Sequence, residues 1–153
     1  MTEEKYVLMV MDMQNDFCSQ QGVYARKGFD PSPIGAVVPQ IIQIMNFCRA
    51  QRIPIVASQL TILTDLDGKA MGLGHLKVLR PFFEEEGFRA GTWGQQFIDA
   101  IPDPDYTVRK WGYSAMYLTE MEKILRSLGA TTLVFTGIAT NGVVEGTARD
   151  AVA

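Results

Sequence analysis

Asp12 and Lys110 each stand where an apolar run stops and chemistry can begin. Asp12 directly follows the five apolar residues Val7 to Met11, and Lys110 closes the segment YTVRK, Tyr106 to Lys110. A third such place is TGIATNGVVEGTARDA, Thr136 to Ala151, which reads as the end of a buried strand, a glycine-marked turn and a helix. A carboxylate, an ammonium and a helix N-terminus brought together can hold an anion and move a proton. Partial burial beside VLMVM should raise the pKa of Asp12, whereas a nearby Lys110 would lower it, and the balance decides between acid and base. Thr140 and Asn141 are suited to cap the helix and Gly142 lets the backbone approach a ligand, so the turn is a candidate anion hole.

The elements that must position these groups alternate along the chain. VLMVM is a continuous apolar run, expected of a strand covered on both faces. After the turn-rich segment Gly28 to Pro33, residues Val38, Ile41, Ile42, Met45 and Cys48 recur at helical spacing. Pro39 is expected in the first turn of that helix, because an interior proline would break it, and Arg52 and Pro54 end it. Ile53 to Leu60 reads as a second buried strand. The stretch from Thr61 to Ala90 lacks periodicity and is expected to be a glycine-rich, mobile functional loop or lid. Gly91 to Ile101 reads as a short helix and Tyr106 to Lys110 as a third strand. Leu118, Met121, Leu125 and Leu128 line a helix closed by Gly129, and TTLVFTG is a fourth strand.

This alternation implies right-handed crossovers, a parallel sheet with helices on both faces, and a ligand site beyond the carboxyl ends of the strands. Asp12, Lys110 and the turn after TLVFT then point to one edge. With no repeat and no linker, residues 1–153 read as a single domain. Its 153 residues, 47% hydrophobic and 20% charged with a net charge of −3, carry no basic footprint for nucleic acid. The acidic start MTEEKY is unlike a signal peptide, and no apolar run approaches membrane-spanning length. Cys18 and Cys48 are isolated thiols that fit a reducing compartment, so a cytoplasmic protein with a small neutral or anionic ligand is expected.

Four motifs, MDMQNDF, GTWG, KWGYSAM and TGIATNGVVEGTARDA, resemble in type and order those of the isochorismatase-like hydrolases, also called the cysteine hydrolase superfamily. The likeness spans Val7 to Ala151. It implies a three-layer α/β/α, mostly parallel, Rossmann-like fold and a triad of Asp, Lys and Cys beside a turn with a non-proline cis peptide. The matching positions are Asp12, Lys110 and Val143, with the cis bond at Ile138-Ala139, so the usual nucleophile is missing. The resemblance further implies an oxyanion turn at Ile138, Ala139, Thr140, Asn141 and Gly142, and a substrate pocket that includes Gln14, Phe17, Trp93 and Tyr113. The metal-binding Asp-x-His of nicotinamidases is replaced here by SQLTILTD, and neither metal nor cofactor is expected. Members form dimers or tetramers, which implies a homo-oligomer. They also continue beyond the helix in which Ala153 falls, so the sequence reads as truncated at the C-terminus, a fragment or a shortened variant.

For activity, the resemblance implies a small-molecule hydrolase. A branch that cleaves an enol ether also lacks the Cys: an Asp protonates the substrate and water attacks the resulting cation. Asp12 would then be the general acid, and Lys110 would orient it or bind a substrate carboxylate. The alternatives are an amidohydrolase using water or another nucleophile, and a non-catalytic paralogue or fragment that binds a ligand or partner. Each residue also has a plainer reading. Asp12 could cap a loop, Lys110 could end a strand in solvent, and Val143 could be an apolar pocket wall. Cys18 has no recognisable base beside it, and Cys48 belongs to the core. His75 is a surface residue or substrate contact, Glu84 to Glu86 form a solvated face, and Trp93 and Trp111 either pack or line the pocket.

Overall fold

The computed structural model of the chain describes residues 4–152. Its first strand, β1 (Tyr6–Met11), is buried from Val7 onward. Alternate side chains of a strand point to opposite faces, and both faces of β1 are covered. Val7, Met9 and Met11 pack with Val56, Val108, Met121 and Leu125. Leu8 and Val10 pack with Ile41, Met45, Cys48 and Ile55. The helices that supply these contacts are α3 (Ser32–Ala50) on one face and α5 (Met121–Leu128) on the other. The result is a three-layer α/β/α arrangement.

The sheet has four strands in the order β3-β2-β1-β4, with β2 at Ile55–Leu60, β3 at Tyr106–Lys110 and β4 at Thr132–Gly137. All three pairings are parallel. The register aligns Met11 with Ser58, Met11 with Gly137, and Leu60 with Lys110, which brings the three expected strand ends to one edge. At Gly137 a Cβ would collide with the Met11 backbone and φ is +100°, so only glycine fits where β4 leaves the sheet beside β1.

Several expected boundaries move. Pro39 lies inside α3, which already begins at Ser32 with Pro33 in its first turn. Pro39 and Gly35 are both exposed, so the Gly35 carbonyl that loses its helical partner is left to water. β2 starts at Ile55 because Arg52 turns in the left-handed region. Gly91 to Ile101 forms only a short 3-10 turn, Trp93–Gln95. Leu118 is an exposed turn residue with positive φ, and α5 begins three residues later.

The largest difference lies between Thr61 and Ala90. The segment contains the short helix α4 (Leu76–Leu79) and a 3-10 turn, Pro81–Glu84. Ile62, Leu73, Leu76, Phe83 and Phe88 bury a third apolar cluster with Val23 of α2 (Val23–Arg26). Phe17, in α1 (Asn15–Cys18), stacks with Phe88 at 4.3 Å and with Tyr24 at 4.8 Å between ring centroids. Asp16 ties the segment down by accepting hydrogen bonds from the amides of Val23 (3.0 Å) and Phe88 (2.7 Å). Gly94 packs so closely on that carboxylate that a side chain there would collide with it. Aromatic packing without helical or strand period explains why no pattern announced this wall.

Candidate active site

The chain turns sharply where β1 stops. Asp12 adopts φ 52°, a left-handed conformation that Asp tolerates better than most residues, and its side chain is buried. Its Oδ2 lies 2.8 Å from Lys110 Nζ. Its Oδ1 accepts a hydrogen bond from Ser58 Oγ at 2.6 Å. Lys110 Nζ donates a further bond to the Gly112 carbonyl at 2.8 Å. Thus the end of β3 supplies the ammonium, the middle of β2 the hydroxyl, and the residue after β1 the carboxylate.

Burial pushes the Asp12 carboxyl above the ordinary carboxylate range, and the charge and hydrogen bonds of Lys110 and Ser58 oppose that rise. Donors on both oxygens hold the ionised form in place, while burial makes it more basic than a carboxylate in water. Removing either charge would leave the other buried without its partner, which is far more costly than the net value of the pair.

These groups face a cavity of about 330 Å³, lined by Asp12, Lys110, Gly112 and Tyr113 together with Ile138, Ala139, Asn141, Gly142 and Val143 of the turn. Phe17, Tyr24, Arg80 and Phe83 complete much of the remaining lining. The Ile138-Ala139 bond is cis. The turn continues as a single wide π-helical turn, Thr140–Val144, into α6 (Glu145–Val152). Ala139 occupies the cap position with no side-chain cap bond, so neither Thr140 nor Asn141 caps this helix. The amides of Gly142 and Val144 donate to the Ala139 carbonyl at 3.1 and 3.3 Å, and the Gly142 N–H expected in an anion hole is thereby committed. The same commitment arises because the wide turn folds the backbone back on Ala139. Val143 both lines the cavity and packs into the core with Met11 and Val108, 2% exposed.

Two expected pocket residues, Gln14 and Trp93, and one residue of the expected oxyanion turn, Thr140, lie outside the cavity lining. Gln14 is wholly buried, its amide donating to the Leu60 and Gln95 carbonyls at 2.9 and 2.7 Å while its oxygen accepts from Leu60 N at 2.8 Å. It clamps the end of β2 to the Trp93–Gln95 turn. Trp93 is 46% exposed and absent from the cavity lining, as is Thr140. Phe17 and Tyr113 do line it, and Tyr113 lies over Gly142, where a Cβ would stand 3.4 Å from its ring. Cys18 is no substitute nucleophile, since burial and the nearby Asp12 charge push its thiol up to about 12. Among the described residues no group of three or more His, Cys, Asp or Glu could hold a metal ion, and His75 is exposed. No helix among them is long and apolar enough to cross a membrane.

Sequence reasoning missed Ser58, Tyr24 and Arg80. Ser58 could have been found as a hydroxyl in an otherwise apolar strand core, IVAS. Tyr24 and Arg80 left no such signal, because a long connection brings them to the cavity.

A parallel α/β sheet thus carries a buried carboxylate–ammonium pair at its carboxyl edge, beside the turn that leads into α6, and sequence comparison places this arrangement in a family. The chain belongs to the isochorismatase family: the isochorismatase domain model matches residues 6–153. It is similar to the ureidoacrylate amidohydrolase RutB of Methylobacterium radiotolerans, 37% identical over 154 residues that cover 94% of this chain and 60% of that protein. RutB of Pseudomonas syringae pv. syringae is 37% identical over 154 residues, 94% of this chain and 63% of that one. The chain thus spans about three-fifths of the length of these curated relatives. Among solved structures it resembles a cysteine hydrolase from Pseudomonas syringae pv. phaseolicola, with TM-score 0.80 and 26% identity over 97% of this chain and 66% of that one. N-carbamoylsarcosine amidase from Thermoplasma acidophilum is similar at TM-score 0.73 and 26% identity, over 96% of this chain and 75% of that one.

Proposed function

We propose that this chain carries the reaction centre of a small-molecule hydrolase that cleaves a carbonyl C–N bond of the ureido or amide type, with Asp12 as acid/base and water in place of a side-chain nucleophile. The observation that carries the reading is the buried pair of Asp12 and Lys110, 2.8 Å apart on the wall of the cavity. With Ser58 and Lys110 donating to its two oxygens, Asp12 is held as an anion ready to take a proton. It removes a proton from water as the water oxygen bonds to the carbonyl carbon, and the C=O electron pair moves to oxygen. When the tetrahedral species collapses, the C–N bond breaks and the proton on Asp12 passes to the departing nitrogen. Lys110 orients Asp12 and offsets the negative charge that develops. Relatives named as amidohydrolase and amidase support the C–N bond as the target.

Val143 favours a second reading. It stands where the resemblance puts the nucleophile and has no group that can attack, which suits enol-ether cleavage with protonated Asp12 as acid. Burial, which raises the Asp12 pKa, serves that chemistry too.

A hydrolysis screen of N-carbamoyl acids, primary amides and vinyl ethers on the purified chain separates the readings. Ammonia release from the carbamoyl compounds is expected, and Asp12→Asn, less stable because it strands the Lys110 charge, should lower it by about 10²- to 10⁴-fold in protein shown by circular dichroism to be folded. Turnover of the vinyl ethers alone would transfer the assignment to the second reading. C–N cleavage indifferent to Asp12→Asn would remove Asp12 from the chemistry, and binding without any turnover would favour a non-catalytic role.

A further inference from the structure

We propose that Arg80 is the carboxylate-binding residue of the cavity and that the ligand is a small monoanion. This inference rests on the reading of the cavity as the substrate site. The electrostatics of the lining point to it first. Asp12 and Lys110 cancel each other at 2.8 Å, and the remaining charged residue of the lining is Arg80. The ion-paired arginines sit in solvent: Arg26 pairs with Glu86, Arg126 with Glu122 and Arg149 with Glu145. Arg80 is half-buried, and no carboxylate pairs with it among the described residues.

The guanidinium is nonetheless held in place. Its Nε donates to the Tyr24 hydroxyl at 3.2 Å, and Nη1 donates to the Leu79 carbonyl at 2.8 Å. The planar group lies 5.0 Å from the Phe29 ring centroid and 5.7 Å from that of Tyr24. Nη2 makes no hydrogen bond within the described protein. Cation–π contacts with the adjoining rings of Tyr24 and Phe29 and a bond at Nε restrict the orientation of the fork before any ligand arrives, which lowers the entropy lost when it binds. A preorganised, partly desolvated guanidinium with donors to spare is suited to a carboxylate, to which it can give two parallel bonds. One uncompensated positive charge in a cavity of about 330 Å³ selects for one negative charge on a small ligand. A neutral amide or urea would leave Arg80 unpaired, and a dianion would bring a second charge with no partner.

Binding measured by isothermal titration calorimetry tests this without requiring turnover. The probes are 3-ureidopropionate and its methyl ester, which share the ureido end and differ in the charge at the other. The native chain should bind the acid at least about tenfold more tightly than the ester. Arg80→Gln should abolish that preference by weakening the acid alone, and Arg80→Lys should restore part of it. Asp12→Asn, which leaves the Lys110 charge uncompensated at the same cavity, should raise the preference for the acid rather than abolish it, so loss of the preference is specific to Arg80. An acid that binds no better than its ester, a ratio insensitive to Arg80→Gln, or no binding of the acid would each overturn the proposal. An Arg80-dependent ratio in a protein that turns over no C–N substrate would sustain it while overturning the assigned reaction.

Discussion

The cavity wall that carries Asp12, Ser58 and Lys110 is made of strand ends, whereas the wall that carries Tyr24, Phe83 and Arg80 is made of short helices and a long connection. Backbone hydrogen bonds along parallel strands fix the first to the sheet register, so its groups cannot shift without breaking the ladder. The second is held by aromatic contacts, such as Phe83 to Phe88 at 5.4 Å, and by the Asp16 carboxylate on two loop amides. The contrast separates two tasks. In the proposed function, proton transfer, which needs atoms placed to a fraction of an ångström, falls to the sheet, and ligand selection falls to packing that can be varied without disturbing it.

Breaking the sheet-borne wall should have the largest effect. Lys110→Met is expected to lower stability by about 3–5 kcal/mol at neutral pH, because Asp12 would keep a buried charge without its partner. Thermal or urea unfolding measures this, and a loss under 1 kcal/mol would mean that water replaces the ammonium. The pH dependence gives the sign. Asp12 has its folded pKa raised above the ordinary 3.8 by burial. Its contribution to stability is therefore fully present below the unfolded value and is lost as pH rises through the folded one. Lys110→Met removes two influences that lower the folded pKa, so that loss should extend to higher pH.

Breaking the aromatic wall should cost less in chemistry. Phe83→Ala is expected to destabilise by about 3 kcal/mol, a buried ring lost from the third cluster. It should raise KM more than it lowers kcat, since Asp12 and Lys110 are anchored elsewhere. Equal losses in both parameters would show that the two walls are coupled.

The pH–rate profile sharpens the same contrast. If Asp12 acts as base, kcat/KM should rise with pH along an acid limb displaced above 3.8, and Arg80→Gln should leave that limb in place. A rate that falls through this limb would make Asp12 the acid.

The smallest expected effect on stability is that of Val143→Cys, under about 1.5 kcal/mol because the side chains are close in volume. The introduced thiol should alkylate with iodoacetamide faster than Cys18, whose thiol is held up at about 12. Reaction only after denaturation would assign position 143 to the core rather than to the cavity it also lines.

Much of the sheet was legible: burial on both faces writes the apolar runs of VLMVM and IPIVASQL, the turn residues before YTVRK mark the edge strand, and each gave a strand within two residues of its expected limits. A parallel order then requires their carboxyl ends to share an edge, which puts Asp12 and Lys110 on the same side of the sheet, while their contact across β2 depends on the strand order. Gln14 shows where such reasoning stops. Two residues beyond Asp12, it belongs to the same motif, yet its amide faces inward to satisfy backbone groups at Leu60 and Gln95 rather than the cavity. Local order cannot tell a side chain that closes a loop from one that meets a ligand.

Pattern along the chain therefore determined the parallel architecture and the edge to which Asp12, Lys110 and the turn after β4 are brought, since period and strand polarity are local properties. Tertiary structure alone decided that Thr61 to Ala90 would pack as an aromatic wall, that Ser58 would reach Asp12, and that Arg80 would be left without a carboxylate at the cavity. Those outcomes depend on which residues far apart in the chain share a neighbourhood, and hydrophobic packing and hydrogen-bond satisfaction settle that only once the whole chain has folded.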